Sequence, residues 1–240
     1  MPWVPLGGLV LVQVGYPLTG GTARAAVTVA AVLLGYAASV GHALLTRGPR
    51  AAARLVVVTT GGGFAVEALG VATGFPFGAY AYSGDLGPRV AGVPWVVPLA
   101  WTWMAWPAWL AAVRVTRSGP GRVALAGLGL AAWDLFLDPQ MVAAGYWTWD
   151  DPHPALPGVP GVPAGNYLGW LAVALVMAVL VRSTAAGPGP DDAPMYALYL
   201  WTYAASVLAH AVFLDLPGSA LWGALGMGVL AVPLAVAWRR

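Results

Sequence analysis

The run Trp133-Asp134-Leu135-Phe136-Leu137-Asp138-Pro139 sets two carboxylates four residues apart in a segment otherwise apolar enough to lie in lipid. Gly145-Tyr146-Trp147-Thr148-Trp149 follows shortly after it. An ionisable side chain at the centre of a bilayer costs roughly 2.5–3.5 kcal/mol on insertion scales. Two on one helix therefore need a reason. At i and i+4 they share a helical face, with Cβ atoms about 5–6 Å apart. Two charges that close in a low-dielectric site cannot both form cheaply, so one carboxyl is expected to act as an acid and its neighbour as a base.

The surroundings fit that placement. Of 240 residues, 60% are hydrophobic and 8% charged, where a soluble domain carries about 25% charged residues. Apolar runs recur from end to end, which predicts an all-α, polytopic helical membrane protein forming a single membrane domain over 1–240. Runs bounded by Pro, Gly and Arg give about eight spans: Trp3–Leu18, Ala25–Leu45, Leu55–Val71, Val93–Val113, Val123–Asp138, Asn166–Val181, Met195–Leu214 and Gly218–Trp238. The first is read as a retained helix rather than a signal peptide, because no basic side chain precedes it.

All 11 basic residues are Arg. Arg47, Arg50, Arg54, Arg114, Arg117, Arg122, Arg182, Arg239 and Arg240 fall on one side of this layout, and Arg24 and Arg89 on the other. The asymmetry predicts a multi-pass protein of the cell membrane with both termini cytoplasmic. The loops Thr73–Gly92 and Pro139–Gly165 then lie outside, and the short Ala185–Pro194 stretch reads as a flexible linker inside.

Composition also excludes functions. Without cysteine there is no disulfide or thiolate site, and without lysine no Schiff base. Three scattered His residues make no His-based metal site. Asp134-x-x-x-Asp138 resembles the Mg²⁺-diphosphate motif of intramembrane prenyltransferases, but the further carboxylates and phosphate-binding cations are missing. No cofactor and no metal are expected, and a net charge of +2 gives no reason to expect nucleic acid.

An offset of 67 places Glu67 on Asp134, and Gly78, Tyr80 and Tyr82 on Gly145, Trp147 and Trp149. Gly92-Val93-Pro94 matches Gly161-Val162-Pro163 two residues further along. Spans three–four and five–six are thus expected to be parallel repeat units, 55–113 and 122–181, with a site between them. On this topology Glu67, Asp134, Asp138 and His210 reach one depth as candidate catalytic groups, with Asn166 and Tyr167 opening span six nearby. Asp138, next to Pro139, also suits a loop cap. Tyr80, Tyr82, Trp133 and Trp147 complete the candidate substrate contacts together with Trp101 and Trp103. These two Trp head a row of four in span four and offer ring faces to an apolar ligand or a cation.

Four ordered motifs carry a family resemblance: Glu67 through Gly78-Ala-Tyr-Ala-Tyr82, Gly92-Val-Pro94, Trp133–Pro139 with Gly145–Trp149, and Gly165-Asn-Tyr-Leu-Gly-Trp170. Together they resemble the CruF-type carotenoid biosynthesis proteins, which include carotenoid 1',2'-hydratases and haloarchaeal bisanhydrobacterioruberin hydratases. The Pro-rich run Asp151–Pro163 departs from the pattern. The resemblance implies water addition to the terminal C1=C2 bond of an acyclic carotenoid taken from membrane lipid, without a redox cofactor and alongside other carotenoid biosynthesis enzymes. For that chemistry Asp134 is taken as the proton donor and Glu67 or Asp138 as the base. The residues alone leave open an isoprenoid cyclase using the same protonation, a transporter with a carboxylate relay, and a passive carotenoid binder.

Overall fold

The computed structural model describes residues 2–185 and 187–239. Its described residues are mostly helical, with four short strands in the long loops, and the helices stack as eight rods. Five rods are long and apolar enough to cross a membrane: α2 (Gly21–Arg47); the continuous Pro49–Thr73 rod; α8 (Ala164–Val181); Ala193–Phe213; and α10 (Pro217–Trp238). The Pro49–Thr73 rod joins α3 (Pro49–Val56) to α4 (Gly62–Thr73) through a π-helical turn, Val57–Gly61. Ala193–Phe213 is α9 (Ala193–Leu208) extended by a second π-helical turn, Ala209–Phe213. A shorter apolar rod, Trp3–Leu18, comprises α1 (Trp3–Gly15) and a 3-10 turn, Tyr16–Leu18.

The two remaining rods build the centre. In α5 (Val97–Val115) every residue from Ala100 to Val113 is buried. A helix apolar on all sides belongs inside a bundle, and α5 packs against α2, α6, α9 and α10. Close approach is set by small residues: a methyl group at Gly63 would meet the Trp101 indole at 2.6 Å. Of the four Trp on α5, the lower pair is structural. Trp106 Nε1 donates to His42 Nδ1 at 3.0 Å and Trp109 Nε1 to the Ala185 carbonyl at 3.1 Å.

The fifth rod is broken. Helix α6 (Gly119–Ala131) stops, Ala132–Trp133 turns tightly, and α7 (Asp134–Ala143) begins at the first carboxylate. Here the expected limits need correcting. Asp138 does not end a span. Pro139 lies inside α7, where its missing N–H frees the Leu135 carbonyl, and Ser219 Oγ donates to that carbonyl at 2.6 Å. Pro107 likewise frees the Trp103 carbonyl within α5, and Ser39 Oγ donates to it at 2.8 Å. The expected start of span four at Val93 is also wrong, because Val93–Pro94 is a strand and the helix begins at Val97.

The two long loops fold into a small lid over one end of the bundle. Strand β1 (Tyr80–Tyr82) pairs antiparallel with β4 (Trp147–Trp149), in the register Tyr80↔Trp149, Ala81↔Thr148 and Tyr82↔Trp147. That register is symmetric about Ala81↔Thr148, so an exchange at offset 67 maps the pairing onto itself. Strand β2 (Arg89–Val90) pairs with β3 (Val93–Pro94). Pro163, at offset 69 from Pro94, makes an antiparallel bridge to Ala155. Gly78 and Gly145 both take positive φ (91° and 77°), as do Gly92 and Gly161 (82° and 90°). These are backbone positions where a Cβ would be strained.

At the opposite end, the stretch read as a flexible linker is anchored. Arg47 Nη2 reaches Asp192 Oδ1 at 2.6 Å and Oδ2 at 2.9 Å, and Asp192 is fully buried. His42 Nδ1 accepts from Trp106, so its Nε2 carries the proton that is donated to the Asp191 carbonyl at 3.0 Å.

Candidate functional site

Two carboxylate clusters face each other beneath the lid. In β1, side chains alternate, so Tyr80 and Tyr82 point inward and Ala81 outward. Both phenols donate to Glu67 Oε2, at 2.6 and 2.7 Å, and Trp101 Nε1 donates to Oε1 at 3.1 Å. Three donors on one buried acceptor are the hydrogen-bond set of an ionised carboxylate. Burial first, and the neighbouring Glu67 second, push both lid phenols well above the ordinary tyrosine range, so they remain donors.

The second cluster mirrors the first. In β4, Trp147 and Trp149 point inward and Thr148 outward. Trp147 Nε1 donates to Asp138 Oδ1 at 3.1 Å. The amide of Asn166, in the first turn of α8, donates to Asp138 Oδ2 at 2.5 Å and to Asp134 Oδ2 at 2.8 Å. Asp134 Oδ1 and Asn166 Oδ1 are buried without a hydrogen-bond partner among the described residues. The lid joins the clusters directly: Tyr82 meets Trp147 edge to face with ring centroids 5.4 Å apart.

A cavity of about 140 Å³ connects them. Nine of the twelve site residues read from the sequence line it: Glu67, Asp138, Tyr80, Tyr82, Trp101, Trp103, Trp133, Trp147 and Asn166. The other three do not. Asp134 lies behind Asn166 and Asp138. His210 reaches the cavity only through Gln140, its partner at 3.1 Å. The Tyr167 hydroxyl is buried and unpartnered among the described residues. Sequence reasoning missed Trp170, which stacks on Trp101 with centroids 3.8 Å apart and planes 11° off parallel. The signal was present, since Trp170 stands at the same offset of 69 from Trp101 that relates Gly161 to Gly92. It also missed Gln140 and Tyr16 in the lining, and no motif marks either.

Chemically, the cavity presents carboxylates, phenols and indoles and, among its described lining residues, no cationic side chain. Indole faces of this kind can interact with an apolar group or with a cation. Among the described residues no group of three or more His, Asp or Glu is arranged to hold a metal ion.

Fold and site together define a polytopic helical membrane protein with a buried carboxylate centre under an aromatic lid. The chain belongs to the carotenoid biosynthesis protein family, whose pattern it matches over residues 27–234. That is the family the four motifs resemble. It is also 32% identical over 136 residues to a bisanhydrobacterioruberin hydratase of Haloarcula japonica, a match covering 55% of this chain and 45% of that protein. The chain thus spans about half the length of that curated relative. No solved structure matches.

Proposed function

We propose that this protein is a carotenoid 1',2'-hydratase, adding water to the terminal C1=C2 bond of an acyclic carotenoid end group. The observation that carries the reading is that Glu67 and Asp138 line one aromatic-walled cavity with no cation in its described lining. Protonation of C2 leaves a tertiary cation at C1. Water attacks C1, and its proton passes to a base. The sum is one water added, with no electron transferred.

Asp138 delivers the proton in this scheme, because it faces the cavity whereas Asp134 lies behind it. The donor role read from the sequence thereby moves one helical turn. Asp134 and Asp138 share one amide and hold one proton between them, as closely spaced like charges do. Glu67, with three neutral donors, carries the negative charge that steadies the cation and takes the proton from water. General acid–base steps of this kind are worth about 10²–10⁴-fold. The indoles of Trp101, Trp133 and Trp170 supply ring faces to the cation.

The two clusters serve as equivalent halves of a duplicated hairpin, 55–113 and 122–181, related by a local two-fold axis through the lid. Support comes from the symmetric strand register, the paired positive-φ glycines and the Trp101–Trp170 stack. The protein lies in the cell membrane with its Arg-rich end and both termini cytoplasmic and the lid outside, so substrate arrives laterally from lipid.

The test is turnover of lycopene by the purified protein in ¹⁸O-labelled water. A tertiary alcohol carrying the label supports the reading. A ring-containing hydrocarbon would make the protein a cyclase, and unchanged lycopene would remove the enzymatic claim.

A further inference from the structure

A cavity of about 140 Å³ is small for a carotenoid. An apolar space of ~150 Å³ takes up one benzene molecule. The carboxylates can therefore enclose an end group, and the rest of a polyene has to leave the cavity. Exposure marks where. Glu67 and Asp138 are buried, as is most of the lining around them. The half-buried lining residues, Val97 apart, belong to α7 or to α1 and α9 with the segments that end them.

The gap between α1 and α9 has the form of a slot. Trp201, Ala205 and Ala209 stand four residues apart along the α9 rod and share one face. Trp201 Nε1 donates to Gln13 Oε1 on α1 at 2.7 Å, which ties the two helices across the gap. One and two turns further along, α9 offers only the methyl groups of Ala205 and Ala209, and α1 has given way to its 3-10 turn at Pro17. These two alanines and Pro17 line the cavity, as do Gln13 and, from α2, Ala31 and Val32. One turn beyond Ala31, a methyl group at Gly35 would collide with the Trp103 indole, so aromatic surface adjoins the slot on its α2 side. Val14 and Leu208, the chain neighbours of Gln13 and Ala209, are exposed. In a bundle of this composition such side chains face acyl chains, so the slot opens into lipid.

We propose that the slot between α1 and α9 seats the chain of a long linear polyene, with one end group at Glu67 and Asp138 and the remainder running between Pro17 and the two alanines into the membrane. The Gln13–Trp201 bond is the floor of the slot, and Ala205 and Ala209 set its width. One end of the substrate is enclosed at a time. The occupant's identity as a polyene rests on the hydratase reading, but the slot itself is judged by binding, which needs no turnover.

The experiment uses the protein in lipid nanodiscs as wild type, Ala205→Leu, Ala205→Phe and Ala204→Phe. Ala204 is exposed and does not line the cavity, so its variant adds the same bulk outside the slot. Lycopene binding is followed by quenching of tryptophan fluorescence. Hydration is measured for lycopene and for 2,6-dimethyl-2-octene, a short alkene with the same end group. Ala205→Phe is expected to weaken lycopene binding about tenfold or more, the scale of an overpacked contact, with Ala205→Leu between it and the wild type. The ratio of lycopene to short-alkene hydration should fall by a similar factor in Ala205→Phe and stay at the wild-type value in Ala204→Phe. Wild-type lycopene affinity in Ala205→Phe overturns the slot, because the chain then leaves elsewhere. An equal loss of both substrates also overturns it, since Ala205 would then only support the bundle. A graded loss of lycopene binding at position 205, absent at 204, in a protein that hydrates neither alkene upholds the slot and ends the hydratase reading. A wild type that hydrates the short alkene and does not bind lycopene overturns the slot and leaves the chemistry standing.

Discussion

Ser219 donates its hydroxyl proton to the carbonyl of Leu135 at 2.6 Å, the carbonyl that Pro139 leaves without a helical donor. A proline in the carboxylate helix is tolerated because a neighbouring helix brings the missing proton. The same arrangement links Ser39 to Trp103 across Pro107. Trp103 lines the cavity and Leu135 precedes the lining residues Phe136, Leu137 and Asp138, so each serine fixes a helix that carries site residues.

The pairing predicts an energetic coupling. Ser219→Ala should destabilise the protein by about 1–3 kcal/mol, the cost of leaving a partly buried carbonyl unsatisfied. In a Pro139→Ala background the residue at 139 regains an N–H for Leu135, and the cost should fall by about 1 kcal/mol or more. A double-mutant cycle on unfolding in detergent measures it, and full additivity would refute the linkage.

The carboxylates should separate by exposure to the cavity. Asp138→Asn and Glu67→Gln are each expected to lower hydration by about 10² or more. Asp134→Asn should leave measurably more activity, because Asp134 meets the cavity only through Asn166 and Asp138. Turnover of lycopene by the three variants decides it. An Asp134→Asn variant as inactive as Asp138→Asn would return the proton-donor role to Asp134.

Tyr80 and Tyr82 carry a pH prediction. Both phenols are pushed above their ordinary value by burial, then by Glu67. A raised acid stabilises the fold below the unfolded pKa of about 10 and loses that contribution as pH climbs above it, where the unfolded chain gives up protons that the folded one keeps. Melting temperature should therefore be flat with respect to these groups up to about pH 10 and fall beyond it. The fall should shrink in the Tyr80→Phe, Tyr82→Phe double variant.

The lid can be tested covalently because the chain has no native cysteine. Ala81 and Thr148 face each other across β1 and β4, and both side chains are exposed. The pair Ala81→Cys, Thr148→Cys is expected to close a disulfide on mild oxidation, detected by peptide mapping. Hydration should survive the lock if, as proposed, the polyene enters laterally from lipid. Reversible loss of activity on oxidation would instead make the lid the route of entry.

Much of this was legible in the chain, for identifiable reasons. Eight rods follow from apolar length, which lipid imposes strictly. The offset of 67 read from the sequence relates Tyr80 and Tyr82 to Trp147 and Trp149, whose strands pair in the structure. What failed was local. Asp138 looked like a cap because proline commonly ends a helix. It does not end one here because Ser219, 80 positions away in the sequence, replaces the lost donor. The strands are three residues long, too short for alternation to stand out from an aromatic interface. Tyr16 and Gln140 belong to different helices, and only packing joins them.

The far end of the bundle offers the last prediction. Asp192 is fully buried, and its Oδ2 also accepts from the Gly189 N–H at 2.7 Å, while Arg47 is only slightly exposed. Breaking such a pair from the cationic side strands a charge. Arg47→Met should cost about 3–5 kcal/mol, more than an exposed pair could. Adding Asp192→Asn removes the stranded charge, and because its amide oxygen can still accept from Gly189, the double variant should recover a large part of the loss. Melting temperatures of the two single variants and the double variant in one detergent measure this. A double variant no more stable than Arg47→Met alone would mean that the cost lies in lost packing of the arginine stem, not in the charge. Hydration by the double variant should match the wild type, because the ion pair lies at the end of the bundle opposite the lid and neither residue lines the cavity.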